Sequence, residues 1–145
     1  MQMQPIDQSQ PGIDGRYRTL LVLWAAMFLS VLSFLLFINL STVTPVDNPK
    51  LSLALNAIGI VPVALSFVFK ITILRKAIHT RRPDLVQVAY VLAFALCEVS
   101  ALLALMSHYL TGSKHYYLGF AFGLFGIFLH LPRKSYLLAV SNKEF

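Results

Sequence analysis

Cysteine is almost missing from this sequence. Cys97 stands alone among 145 residues, which excludes an intramolecular disulfide and any zinc or iron–sulfur centre built on cysteine ligands. Charge is scarce as well: Asp, Glu, Lys and Arg make up 12% of the chain, about half the share a soluble domain carries. Acids are the rarer sign, 6 against 12 Lys and Arg. Also absent are the patterns that announce catalysis: no phosphate-binding glycine loop, no serine–histidine–acid arrangement, no paired carboxylates and no metal-ligand spacing. No catalytic residue, metal or cofactor is assigned, and the chain is read as something other than an enzyme. The opening, "MQMQPIDQSQPGIDGRYR", lacks the short basic region of a signal peptide, so the first apolar block is expected to stay in the mature protein.

What the chain has in plenty is long apolar runs. Hydrophobic residues reach 57% and mean hydropathy is +0.71. They fall into four blocks, about 19–40, 51–74, 85–110 and 116–131, near the ~20 residues needed to cross a hydrocarbon layer about 30 Å thick. The expected fold is all-α, an integral membrane four-helix bundle. A polar tail over 1–18 precedes a four-span domain over 19–132, and a second tail covers 133–145. Pro45 and Pro49 punctuate the first link, Pro62 interrupts the second span, and Pro83 with Asp84 opens the third. The fourth block is short and either begins in the interface or extends past Pro132. Arg16 and Arg18, the group Lys70, Arg75, Lys76, Arg81 and Arg82, and the trio Arg133, Lys134 and Lys143 all fall on one side. The positive-inside rule then places both termini and the central loop in the cytoplasm, in a plasma or inner membrane. Topology accounts for the net charge of +6, and nucleic acid is not expected as a partner; the lipid bilayer is.

Within the third block, "ALCEVSAL" carries one acid, Glu98. It lies about thirteen residues from Leu85, roughly 20 Å along a helix. At that depth an ionised carboxyl costs at least a few kcal/mol, so it is expected to be protonated, paired or beside water. Lys70 lies only about four residues, or ~6 Å, inside its own span and can reach back to the surface. Pro62 falls at nearly the depth of Glu98, and the Ile58 carbonyl it frees is the expected acceptor for the carboxyl proton; Ser100 and Asn56 are further candidates. Ala89, Ala93, Cys97 and Ala101, spaced by four, form a small-residue stripe suited to close helix approach.

The stretch "ILRKAIHTRRPDLVQVAYVLAFALCEVSALLALMSHYL", residues 73–110, resembles the hairpin of the rotary ATP synthase proteolipid, subunit c. The likeness sits in the basic loop with proline and acid, Arg81, Arg82, Pro83 and Asp84, and in the apolar helix with its central acid, Glu98. It implies a subunit that binds a proton or cation at Glu98, working in a homo-oligomer or within a larger membrane complex.

Other features read more plainly. His108 and His130 fall at opposite ends of their spans and cannot share an ion; interfacial placement is expected for them and for His115. Gly119 and Gly123, extended by Gly126, make a packing motif for self-association or contact with span one. Tyr109, Tyr116 and Tyr117 are expected in an outer aromatic belt, and loop 75–82 against anionic headgroups. The alternative to ion exchange is a structural or assembly subunit in which Glu98 is an interhelical hydrogen-bond donor; a solute transporter ranks third.

Overall fold

A computed structural model describes residues 12–42, 48–112 and 114–141. Among them are five helices and no strand: α1 Ile13–Leu40, α2 Pro49–Thr80, α3 Pro83–Thr111, α4 Tyr116–Leu129 and α5 Lys134–Ser141. α1, α2 and α3 are long and apolar enough to cross a membrane. Their 28, 32 and 29 residues correspond to roughly 42–48 Å of helix. α4 has 14 residues, only about 21 Å.

The helix ends follow local chemistry. Asn48 caps α2 by accepting from the Leu51 amide at 3.2 Å, and Pro49 takes the first helical position, where a missing N–H costs nothing. α2 does not stop near residue 74. It runs to Thr80, leaving Arg81 and Arg82 alone between helices, so the basic segment expected as a loop over 75–82 is mostly helical. Arg81 adopts the left-handed conformation, φ 50°, and the Arg82 and Arg81 amides donate to Ala77 and Ile78 carbonyls, the paired closure that usually employs glycine. Pro83 then opens α3.

α3 is the centre of the molecule. It meets all four other helices, whereas α1 and α2 do not meet each other. α1 lies parallel to α3, tied by Ser30 to Glu98 and by Tyr109 to Ser41, both pairs 68 residues apart. α2 lies antiparallel on the other side, with Ser52 against Ser107 and Ser66 against Cys97.

α4 descends antiparallel to α3 on small residues. An added Cβ at Gly119 would stand 2.7 Å from Ala104 Cβ, one at Gly123 3.0 Å from the Cys97 carbonyl, and one at Gly126 2.7 Å from Cys97 Sγ. The glycine motif, expected to serve self-association or span one, is consumed by packing on α3. Ala93, Cys97 and Ala101 are fully buried, and the last two lie against those glycines.

The same register continues past the end of α4. Gly119 faces Ala104, Gly126 faces Cys97, and the Arg133 amide reaches the Tyr90 hydroxyl: each step of seven down the chain matches seven up α3. Leu137 and Val140 of α5 then join Leu20, Leu74, Val86 and Tyr90 in one buried cluster. This corrects the tail expected over 133–145, whose first part is a packed helix. The opening tail is shortened too: Ile13 to Arg18 are helical, and residues 1–11 lie outside the described ones.

Candidate functional site

Glu98 is half-buried on α3 and turns toward α1. Ser30 Oγ donates to its Oε1 at 2.7 Å, and the Ser30 carbonyl accepts from Ser33 Oγ at 2.7 Å. The partner expected on α2 is therefore replaced by one on α1. Among the described residues Glu98 forms no ion pair, and Oε2 has no hydrogen-bond partner yet is not enclosed, since the only buried unpaired side-chain atoms there belong to His108. Val91 and Leu102, on the same face of α3, are 41% and 40% exposed. The unpaired oxygen is thus not sealed in, and Glu98 shares its face of α3 with these exposed side chains. Along this face a groove of about 490 Å³ runs from Asp84 and Gln87 past Val88, Val91 and Leu92 to Ala95, ending one turn short of Glu98.

The other residues picked out beside Glu98 serve elsewhere. Ser100, two positions on, points to the opposite side and donates to the Gly119 carbonyl at 3.3 Å. Asn56 is buried; its Nδ2 donates to the Ser52 carbonyl at 2.8 Å and approaches Ser107 Oγ at 3.4 Å, while Oδ1 accepts from the Gly119 amide at 3.1 Å. Both belong to a buried polar layer joining α2, α3 and α4. Ile58 faces outward, 56% exposed, and Pro62 lies within an uninterrupted α2. At the turn, Arg82 donates to Asp84 at 2.6 Å, and this bond holds the Asp84 carboxyl below its ordinary range.

A second polar group went unread in the sequence. His130 was expected at the interface, and Lys70 was expected to reach back to the surface. Instead His130 is fully buried, with Ser66 Oγ 2.7 Å from its Nε2 and Lys70 Nζ 3.2 Å from its Nδ1. A charged Lys70 only donates, so Nδ1 accepts and Nε2 carries the ring hydrogen toward Ser66, whose hydroxyl donates to the Val63 carbonyl at 2.6 Å. Lys70 Nζ also lies 4.5 Å above the Tyr90 ring, and Phe67 packs on the imidazole, ring centres 4.4 Å apart. These contacts surround the break between α4 and α5, where backbone groups lose their helical partners. Trp24 Nε1 supplies the Ile127 carbonyl at 2.9 Å, and the Tyr90 hydroxyl accepts from the Arg133 amide at 3.1 Å. Pro132, between them, has no donor to satisfy. The one sequence signal was Ser66 and Lys70, four apart and so on one face of α2; nothing tied them to His130.

At the other end His108 has both ring nitrogens buried without a hydrogen-bond partner, its ring edge-on to Tyr116 at 4.7 Å. Tyr116, expected in an exposed belt, is 4% exposed, whereas Tyr109 and Tyr117 are open. No group of three or more His, Cys, Asp and Glu that could hold a metal occurs among the described residues.

The chain matches no protein-family model, no curated protein and no solved structure at a significant level.

Proposed function

We propose that this chain is a four-span membrane subunit in which Glu98 takes up and releases a proton or small cation, in the manner of a proteolipid. α4 and α5 together supply the fourth crossing, interrupted at His130–Arg133; broken helices are tolerated at membrane depth where the freed backbone groups find partners inside the protein, as Trp24 and Tyr90 provide here. Large apolar side chains such as Leu29, Leu36, Ile58, Val68, Phe125 and Phe128 stand more than half exposed, which suits a lipid surround rather than water. The excess of Lys and Arg puts both termini and the Arg81–Arg82 turn on the cytoplasmic side of a plasma or inner membrane.

The observation that carries the reading is the division of labour within one carboxyl. Oε1 is held by Ser30, which fixes the side chain, while Oε2 has no hydrogen bond among the described residues and is not sealed in. An oxygen left unpaired beside one that is held lets a proton or cation arrive and leave without breaking the bond to Ser30. The groove on α3 approaches from the cytoplasmic side, with Asp84 and Gln87 at its mouth. Such a half-buried position also fits a partner in a homo-oligomer or larger complex, against which exchange takes place.

The same Ser30–Glu98 bond favours a second reading, in which Glu98 only fastens α1 to α3. The two separate in one experiment. In reconstituted vesicles a hydrophobic carbodiimide, which attacks the protonated carboxyl, is expected to label Glu98 faster as pH falls. Glu98→Gln, whose amide oxygen still accepts from Ser30, keeps the fold and loses labelling together with any proton flux. An unlabelled Glu98 at every pH, with Glu98→Gln indistinguishable from the parent, leaves only the fastening role.

A further inference from the structure

At the α4–α5 break two basic residues, Lys70 and Arg133, meet at one tyrosine. Lys70 Nζ lies over the ring of Tyr90 at 4.5 Å, and the hydroxyl of that same tyrosine receives the backbone amide of Arg133 at 3.1 Å. Tyr90 therefore brings the Lys70 ammonium and the Arg133 backbone to one side chain. The nearby acids among the described residues are engaged elsewhere. Asp14 holds Lys134 and Asp84 holds Arg82, each at 2.6 Å, and among the described residues neither Lys70 nor Arg133 has an ion pair.

Two like charges in a partly buried place repel more strongly than in water, and an anion between them removes that cost. The donors for one are in place. Lys70 spends one of its three N–H groups on His130. Arg133 is exposed, so its planar fork is free to grip two oxygens of one phosphate. In the spanning arrangement proposed above, the pair lies just inside the cytoplasmic border, where basic pockets between helices meet phospholipid headgroups.

We infer that the α4–α5 break binds the phosphate of an anionic phospholipid, gripped by Lys70 and Arg133 with Tyr90 as the platform between them. The site rests on the membrane placement of the chain but not on ion exchange at Glu98. A bound phosphate neutralises the pair, fixes the break against α2 and α3, and sets the depth at which α5 leaves the membrane.

The test uses the full chain in a zwitterionic detergent, with lipid retention followed by native mass spectrometry. Phosphatidylglycerol is expected to be retained over phosphatidylcholine. The double variant Lys70→Gln with Arg133→Gln should hold it about thirty-fold more weakly, while Lys76→Gln, on the exposed end of α2, and Glu98→Gln should hold it as the parent does. Lys70→Arg keeps the charge and should keep the lipid, which separates lost binding from lost folding, and Arg133→Lys, which keeps the charge but loses the fork, should fall between parent and double variant. Equal retention by parent and double variant overturns the site, as does loss of lipid in Lys70→Arg. Displacement of phosphatidylglycerol by millimolar inorganic phosphate overturns the lipid assignment in favour of a soluble anion.

Discussion

A methyl group added at Gly126 meets Cys97 Sγ at 2.7 Å and Val63 Cγ1 at 3.1 Å, and neither neighbour is the loose end of a long side chain. Gly126→Ala should therefore cost about 1–3 kcal/mol through overpacking, read as a lower midpoint in detergent unfolding. Adding Cys97→Ala removes the nearer obstacle, so the double variant is expected to recover much of that loss; strict additivity would contradict the contact. Arg81 presents the opposite case. It holds φ 50° at the end of α2, a conformation that costs an L side chain roughly 1–2 kcal/mol and glycine almost none. Arg81→Gly should raise the unfolding midpoint, and a fall would mean that the side chain has a compensating contact.

At the scale of elements, α5 depends on what it packs against rather than on its own 8 residues, too few to persist alone in water. Leu137 and Val140 anchor it in the buried cluster, and Lys134 is tied to Asp14 at the start of α1. The hydrogen bond from Lys134 holds the Asp14 carboxyl below its ordinary value of 3.8. Its contribution is thus complete above that value and disappears as pH falls through the lower folded one. Acid is expected to increase amide exchange in α5 of the parent, and Asp14→Asn should show the looser behaviour already at neutral pH; identical exchange in both proteins would count against the tie. The three long helices were legible in the sequence because length and hydropathy alone define them, and Pro83 marked the start of α3, whereas Pro49, read as part of the link, is the first residue of α2. α5 was not legible. "PRKSYLLAV" is mixed in polarity and follows a proline, and only the seven-residue register along α3 shows why its apolar residues turn inward. The partner of Glu98 was missed for a related reason: the short turn made α2 the obvious neighbour of α3, whereas Ser30 lies 68 positions away on a helix with no short connection to it.

At the scale of the molecule, α3 serves as a central post with α2 and α4 against its small-residue side and α1 on the other flank. Two buried polar groups, Ser52–Asn56–Ser107 and Ser66–His130–Lys70, stitch the first side together, and the lone acid holds the α1 flank. That asymmetry leaves one oxygen of the Glu98 carboxyl without a hydrogen bond among the described residues, the feature on which the proposed proton exchange rests. The most direct measurement is a pH titration of the reconstituted protein by infrared difference spectroscopy, with Glu98→Gln as the blank. A protonated-carboxyl band that is absent from the blank and reversibly lost as pH rises is the predicted result; a Glu98 carboxyl whose band does not change at any pH at which the protein stays folded would contradict the account.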